Sequence, residues 1–489
     1  MDEKTLHGKG QGMNDLPKLR VGLFGIGLAA YWTQFSGLED RLRGYVGTVE
    51  ERLRGPAREV INFGLVDSPE RASTVGHEAR VQDVDILVIY VTTYALSSTV
   101  LPIVRRAKVP VIILNLQPTA ALDYARFNAL PDRTAMTGEW LAYCSACPMP
   151  EIANVFARCD IPFHQVNGRL DDDPECWREI HEWMDAAQVV HRLSHLRLGL
   201  MGHYYSGMLD IATDLTAVSH IFGAHVEQLE VDELSQTRLN VSDEEIRQQV
   251  EVFRKAFDIQ EGCSTVELER AARTSVALER FVKKHSLGAL AYYYKGSGSE
   301  ANEDTMSSII LGTSLLTSRG VSMAGEYEVK NVLAMKIMDS LGAGGSFTEY
   351  YAVDYTDDIV LMGHDGPGHF GIADGKTTVR PLAVYHGKVG QGLSVEMSVK
   401  TGPVTLLSVV ESKRCGFKLL VAEGNAEAGP ILQIGNTNSR YRFPISARNF
   451  IQRWNEHAPA HHCAVGVGHI AARLEKLGAL LEIDVVRVC

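Results

Sequence analysis

The chain has 489 residues, 45% of them apolar and 22% charged, a globular composition that excludes disordered, collagen-like and fibrous classes. At roughly 150 residues per domain the length allows about three domains. A net charge of −12 without any basic run argues against a nucleic-acid partner, no apolar stretch is long enough to span a membrane, and eight scattered cysteines fit free thiols in a reducing cytoplasm.

Residues 1–17 carry no apolar leader core and read as a flexible N-terminus. Residues 18–175 alternate short apolar runs (Leu19 to Phe24, Glu59 to Val66, Asp85 to Val91, Val109 to Leu116) with helix-length amphipathic stretches such as Leu38 to Leu53 and Pro69 to Ala79. Buried strands joined by helices form a parallel sheet, with its ligand crevice beyond the carboxyl ends of the strands. Gln34, Asn115 and Gln117 fall there. Residues 176–356 repeat the alternation, with strands at Leu196 to Met201, His225 to Val231 and Ala289 to Tyr294 and long helices at Ser242 to Asp258 and Thr265 to His285. Residues 357–489 change texture: short apolar runs separated by turns (Ile359 to Met362, Thr378 to Val384, Leu393 to Val399, Val404 to Val410, Phe417 to Glu423) predict an antiparallel β domain, ending in a helix at Gly466 to Leu477 and a strand at Leu480 to Val488. The expected fold class is α/β, two Rossmann-like doubly wound domains followed by a C-terminal antiparallel β domain.

Gly25-Ile26-Gly27-Leu28-Ala29-Ala30 matches the dinucleotide fingerprint GxGxxA after a strand. The fingerprint also wants an acid about 20 residues further on, whereas the second strand ends at Asp67, so a tight strand-to-helix turn explains the glycines equally well. Cys144-Ser145-Ala146-Cys147 is a lone CxxC without a second pair at zinc spacing, and reads as two packed small side chains.

The second half carries acids and histidines in unusual places. Gly325-Glu326-Tyr327-Glu328-Val329-Lys330 opens an apolar helix-length run, and Glu349 lies among aromatic and β-forming residues, where an acid is costly unless paired or metal-bound. A strand delivers His364 into Asp365-Gly366-Pro367-Gly368-His369, and Pro459 disfavours a helix across His457 to His461, so His461 and His462 read as loop or strand-end residues pointing opposite ways. Two Glu and two His would form an oxygen-rich site suited to Mn²⁺ or a similar divalent ion. The bland alternative makes each Glu a surface cap and each His a satisfied polar residue. Lys330 reads slightly better as part of a solvated face than as a carboxylate-orienting group, and Trp32 and Tyr292 to Tyr294 as core rather than sugar-stacking rings.

At these residues the chain resembles the arabinose isomerase and fucose isomerase superfamily, from about Leu19 to Val488, with the strongest match to arabinose isomerases in the Gly325-Glu326 segment, the Ser346-Phe347-Thr348-Glu349 turn, Gly363-His364 and Ala460-His461-His462. The resemblance implies Glu326, Glu349, His364 and His462 as metal ligands for Mn²⁺, Co²⁺ or Mg²⁺, Glu326 and Glu349 as the catalytic acid/base pair, and His461, Gln34 and Gln117 as sugar-binding groups. It also implies a homo-oligomer, a hexamer in related isomerases, in which the two glutamines could act across an interface. The Asp365–His369 and Gly202–Gly207 loops depart from the arabinose isomerase pattern, which marks an outlying branch and leaves the sugar unspecified. The function expected is a metal-dependent, L-arabinose-type aldose–ketose isomerase transferring a proton between C1 and C2 through an enediol. The alternatives are an NAD-dependent sugar dehydrogenase, resting on the glycine turn, and a non-catalytic sugar-binding protein.

Overall fold

The computed structural model describes residues 17–296, 298–382, 391–413 and 416–489. The expected flexible segment 1–17, apart from Pro17, lies outside the described residues, as do the last two positions of the strand expected at Thr378 to Val384. The chain divides into two compact units, one of residues 17–191 and one that includes all described residues from 192 to 489. Among the described residues no helix is long and apolar enough to cross a membrane.

In the first unit β1 (Leu19–Ile26), β2 (Arg58–Val66), β3 (Ile86–Tyr90), β4 (Val111–Gln117) and β5 (His164–Arg169) form a parallel sheet in the order β2-β1-β3-β4-β5. Every residue of β3 is buried, as a strand covered on both faces requires. The helix Leu38–Leu53 buries Leu38, Leu42, Val46, Val49 and Leu53, a stripe at three- and four-residue spacing. The helix Pro69–Val81 starts with Ser68 accepting from the Arg71 amide and proline at its first position, and buries Ala72, Val75 and Ala79.

The second unit begins with another parallel sheet. Its strands are drawn from β6 (Arg197–Gly202), β7 (His225–Leu229), β8 (Asp258–Ile259), β9 (Ala289–Tyr293) and β10 (Ser322–Ala324), of which four align in the order β10-β9-β6-β7. In both sheets the first strand lies between the second and third, the arrangement that opens a crevice at the carboxyl ends. The helix Val329–Ser340 buries its first ten residues without a polar face, because β9 and β10 pack on it from one side and later strands from another.

Those later strands are β11 (Ser346–Asp354), β12 (Ile359–His364), β13 (Thr378–Leu382), β14 (Gly392–Glu396), β15 (Gly402–Ser412), β16 (Gly416–Glu427), β17 (Thr437–Arg442), β18 (His462–Val467) and β19 (Asp484–Arg487). Six of them run antiparallel in the order β15-β18-β11-β12-β17-β16 and close into a barrel through β15–β16 pairing. β19 adds to β16 in parallel, and β8, β13 and β14 make a small separate sheet. The final helix occupies Ala471–Leu480 rather than starting at Gly466, because Gly466 and Val467 extend β18 while Leu474 and Leu477 carry the buried stripe further along. The last strand shortens accordingly.

Candidate metal and sugar site

The site starts where β10 ends. The turn Gly325-Glu326-Tyr327-Glu328 places Glu326 at φ 59° and Tyr327 at φ 62°, left-handed conformations that side chains other than glycine rarely adopt. Each costs on the order of 1–3 kcal/mol, and such strain persists where surroundings enforce it. Here the Tyr327 amide donates to Tyr292 O (3.2 Å) and the Glu328 amide to Gly325 O (3.1 Å). The turn holds the Glu326 side chain mostly buried and leaves Glu328 with no exposure at all.

The barrel supplies the opposing groups. Glu349 on β11 pairs directly across from His462 on β18, so their β-carbons are neighbours. His364, the last residue of β12, is fixed through its backbone, its amide donating to Thr437 Oγ1 while its carbonyl accepts from the same hydroxyl (both 2.9 Å). Phe347, two residues before Glu349, lies with its ring centroid 4.4 Å from both His364 and His462. This fully buried ring props the two imidazoles apart, which are 5.1 Å from each other.

Five of the expected residues therefore fall into two triads that share His462. Glu349, His364 and His462 offer ligand atoms within 4.8 Å of one another, and so do Glu326, His461 and His462. A six-coordinate divalent ion with bonds near 2.1 Å spreads its donors up to about 4.2 Å, so only a small contraction is needed. The donor set fits such an ion in a second respect. Glu328, fully buried and with its Oε1 lacking a hydrogen-bond partner, adds a further carboxylate to those of Glu326 and Glu349, an excess of acid that a cation would offset. His462 Nε2 lies 3.3 Å from Glu326 Oε2, and its Nδ1 donates to Glu328 Oε2 at 3.4 Å. Burial alone would lower the pKa of His462, but these hydrogen bonds and the two carboxylate charges raise it to about 9. Glu349 moves upward too, first through burial and then through the charges of Glu326 and Asp365, against the lowering effect of the two histidines.

Three features differ from expectation. His461 and His462 do not diverge: their ring centroids are 3.8 Å apart, and His461 Nε2 lies 3.8 Å from Glu326 Oε2. His461 precedes β18 and escapes its alternation because Asp210 accepts from both its Nδ1 (2.6 Å) and its backbone amide (3.0 Å). Lys330 is buried rather than solvated, its ammonium donating to the carbonyls of Asp210 (2.7 Å) and Ala212 (2.9 Å). Of the CxxC pair only Cys144 is packed, and Cys147 is exposed. Burial, helped by the charge of Cys147, pushes the Cys144 thiol up to about 12, the opposite of activation.

A cleft opens onto Glu326, His364 and Asp365, with Tyr292 to Tyr294 and the apolar Met306, Ile309 and Ile310 on its wall. Tyr292 and Tyr293 are thus core residues that also face this space. Glu328, Asp210 and Phe347 are the contributors that sequence reasoning missed. Phe347 was visible in principle, since period-two alternation puts it on the face of Glu349.

Gln34 and Gln117 belong to the first unit, at the carboxyl ends of its strands. Gln34 is exposed, and Gln117 donates to Thr119 O at 2.9 Å. The glycine turn beside them is packed. The Trp32 indole lies against Gly27, where an added Cβ would come within 2.7 Å of the ring, and its Nε1 donates to Asp67 Oδ2 at 2.7 Å. The acid that a nucleotide ribose would use is held by tryptophan, which speaks for the turn and against the dehydrogenase.

The profile of the L-arabinose isomerase central domain matches residues 211–344. The sulfoquinovose isomerase of Alkalicoccus urumqiensis is 23% identical over 304 residues, 61% of this chain and 66% of that protein. That of Priestia aryabhattai is 20% identical over 443 residues, 89% and 92% of the two chains. The L-arabinose isomerase of Nocardioides sp. is 22% identical over 352 residues, 69% of this chain and 68% of its own. These matches support an arabinose isomerase-like family for this chain, at low identity. The relatives' names place that family among the sugar isomerases, which are intramolecular oxidoreductases. In this arabinose isomerase-like chain Glu326 falls within the matched central domain, whereas Glu349, His364 and His462 come from the barrel beyond it. Among solved structures, a solute-binding protein from Burkholderia multivorans aligns with 67% of the chain and 93% of its own at 14% identity and a TM-score of 0.16, too low to bear on the fold.

Proposed function

We propose that the protein is a divalent-metal-dependent aldose–ketose isomerase, with Mn²⁺ as the expected ion and Co²⁺ or Mg²⁺ as alternatives. The observation that carries this reading is a pair of triads sharing the buried His462, Glu349–His364–His462 and Glu326–His461–His462, with Glu326 and His364 lining a cleft. Two carboxylates and two imidazoles suit a manganese-like ion. When bound, such an ion supplies Lewis-acid polarisation of the vicinal carbonyl and hydroxyl oxygens of an open-chain sugar.

The side chains do the proton work. Glu349, whose raised pKa brings it closer to neutrality, takes the proton from C2 and returns it to C1, breaking one C–H bond and forming the other across an enediol. Glu326 serves the oxygens, passing the proton of the C2 hydroxyl to the C1 oxygen as carbonyl and hydroxyl exchange places. Glu328 holds Nδ1–H of His462, which keeps Nε2 turned to the centre. Phe347 fixes the spacing of the two imidazoles.

The substrate is an aldose, and the relatives' sugars, sulfoquinovose and L-arabinose, frame the choice. D-galactose and L-fucose extend it. We read the two parallel sheets as Rossmann-like domains at 18–175 and 176–356, followed by the β-rich domain 357–489. The protein acts in the cytoplasm as a homo-oligomer, a hexamer by family resemblance, in which Gln34 and Gln117 of one subunit and His461 of another contact the sugar. Chelator-stripped protein, re-supplied with Mn²⁺ in D₂O and offered these aldoses, tests the reading by NMR. Metal-dependent ketose formation with solvent deuterium in the product supports it. A protein that binds no divalent ion overturns it.

A further inference from the structure

The residue that orients His461 comes from the loop after β6, 251 positions away in sequence. Asp210 Oδ2 lies 2.6 Å from His461 Nδ1 and 3.0 Å from its backbone amide. A carboxylate only accepts, so Nδ1 carries a proton, and Nε2 is the nitrogen turned toward Glu326 Oε2, 3.8 Å away. Asp210 is itself pinned. Lys330, the second residue of the helix that follows the Glu326 turn, donates to the carbonyl of Asp210 at 2.7 Å and to that of Ala212 at 2.9 Å. Lys330 thus holds the backbone of the loop after β6, and Asp210 of that loop holds the imidazole that lies beside Glu326.

We propose that Asp210 is a positioning residue of the reaction, fixing His461 in its Nδ1–H tautomer so that Nε2 faces the sugar oxygens beside Glu326. The kinetic part rests on the isomerase reading; the tautomer does not. A free neutral imidazole in water favours the proton on Nε2, so the arrangement has to be imposed, and the Asp210–His461 pair imposes it. Asp210→Asn keeps an acceptor oxygen that the His461 amide holds in place, whereas Asp210→Ala removes it.

The experiment uses the full chain labelled with ¹⁵N-histidine, the His461 resonances being identified by their loss in His461→Gln. Wild type and Asp210→Asn are expected to show protonated Nδ1 on His461, and Asp210→Ala to shift the proton to Nε2. With Mn²⁺ and the best sugar of the panel, Asp210→Ala is expected to lower kcat about 10–100-fold with KM and Mn²⁺ affinity nearly unchanged. Asp210→Asn recovers most of that loss, and Asp210→Ala adds nothing in the His461→Gln background. An unchanged tautomer in Asp210→Ala overturns the proposal whether or not the protein turns over a sugar. So does a loss of kcat that persists undiminished in the His461→Gln background. If the wild type isomerises no aldose but its tautomer follows Asp210, the positioning stands and the isomerase reading is what fails.

Discussion

The two parallel sheets share a strand order and end in very different crevices. Beyond β1 the glycine turn is filled by the Trp32 indole, and the nearby acid, Asp67, is satisfied by the indole N–H. Beyond β10 the turn is strained, two residues in a row are left-handed, and of the acids it presents Glu328 is fully buried with one oxygen unsatisfied. One topology therefore yields one crevice packed for stability and another that retains costly charge. Strand order supplies the crevice, and the side chains decide whether it does chemistry.

The strongest way to break this contrast is to remove the charge. Glu326→Gln and Glu349→Gln are expected to lower isomerase turnover by about 10²–10⁴-fold while circular dichroism stays unchanged. Full activity in either variant would make that acid structural. Phe347→Ala removes the prop between the imidazoles and is expected to cost about 3–5 kcal/mol in denaturant unfolding, with loss of divalent-ion affinity as well. A stability loss without an affinity loss would show that the ring only fills space.

The charge itself can be read through protons. Because His462 titrates near 9 without a cation, it is protonated at pH 7, and binding a divalent ion must expel that proton. Calorimetry in buffers of different ionisation enthalpy should therefore register about one proton released per ion at pH 7. Affinity should rise roughly tenfold per pH unit until pH 9. On the other side of the contrast, Gly27→Ala drives a methyl into the Trp32 ring and is expected to destabilise the protein by about 1–3 kcal/mol without changing turnover.

The smallest expected effect lies outside both crevices. His285 is held by Glu227 (2.9 Å) and Glu233 (2.7 Å), and although burial lowers its pKa, those hydrogen bonds outweigh it and raise the value above 6.5. Its stabilising contribution is complete below the unfolded value of about 6.5 and disappears as pH rises through the higher folded value. Melting temperatures of wild type and His285→Gln should accordingly converge as pH rises above about 6.5.

The sequence legibility of these regions also differs. Strands β1, β3 and β4 announce themselves as short apolar runs because both of their faces are buried, and β15 and β16 are likewise visible as runs between turns. Glu349 was conspicuous as an acid in a strand of aromatics. Asp210 was not, since nothing in a surface-like Met208-Leu209-Asp210 segment signals a histidine 251 residues later. Lys330 misled for a similar reason. A lysine reads as solvent-facing, and only the two carbonyls it meets explain its burial. The Trp32–Asp67 bond likewise joins a helix start to a distant strand end, so a glycine fingerprint could not reveal that its space was taken.

One consequence follows from β18. It pairs with β15 on one edge and β11 on the other, so its docking is what makes the barrel continuous, and its first residue is His462. The barrel therefore acts as its own proofreader. A chain whose last stave is misregistered by one residue points His462 away from Glu349 and cannot assemble the centre at all. Faulty copies are silent rather than sloppy, and a cation at that point would latch the stave in place.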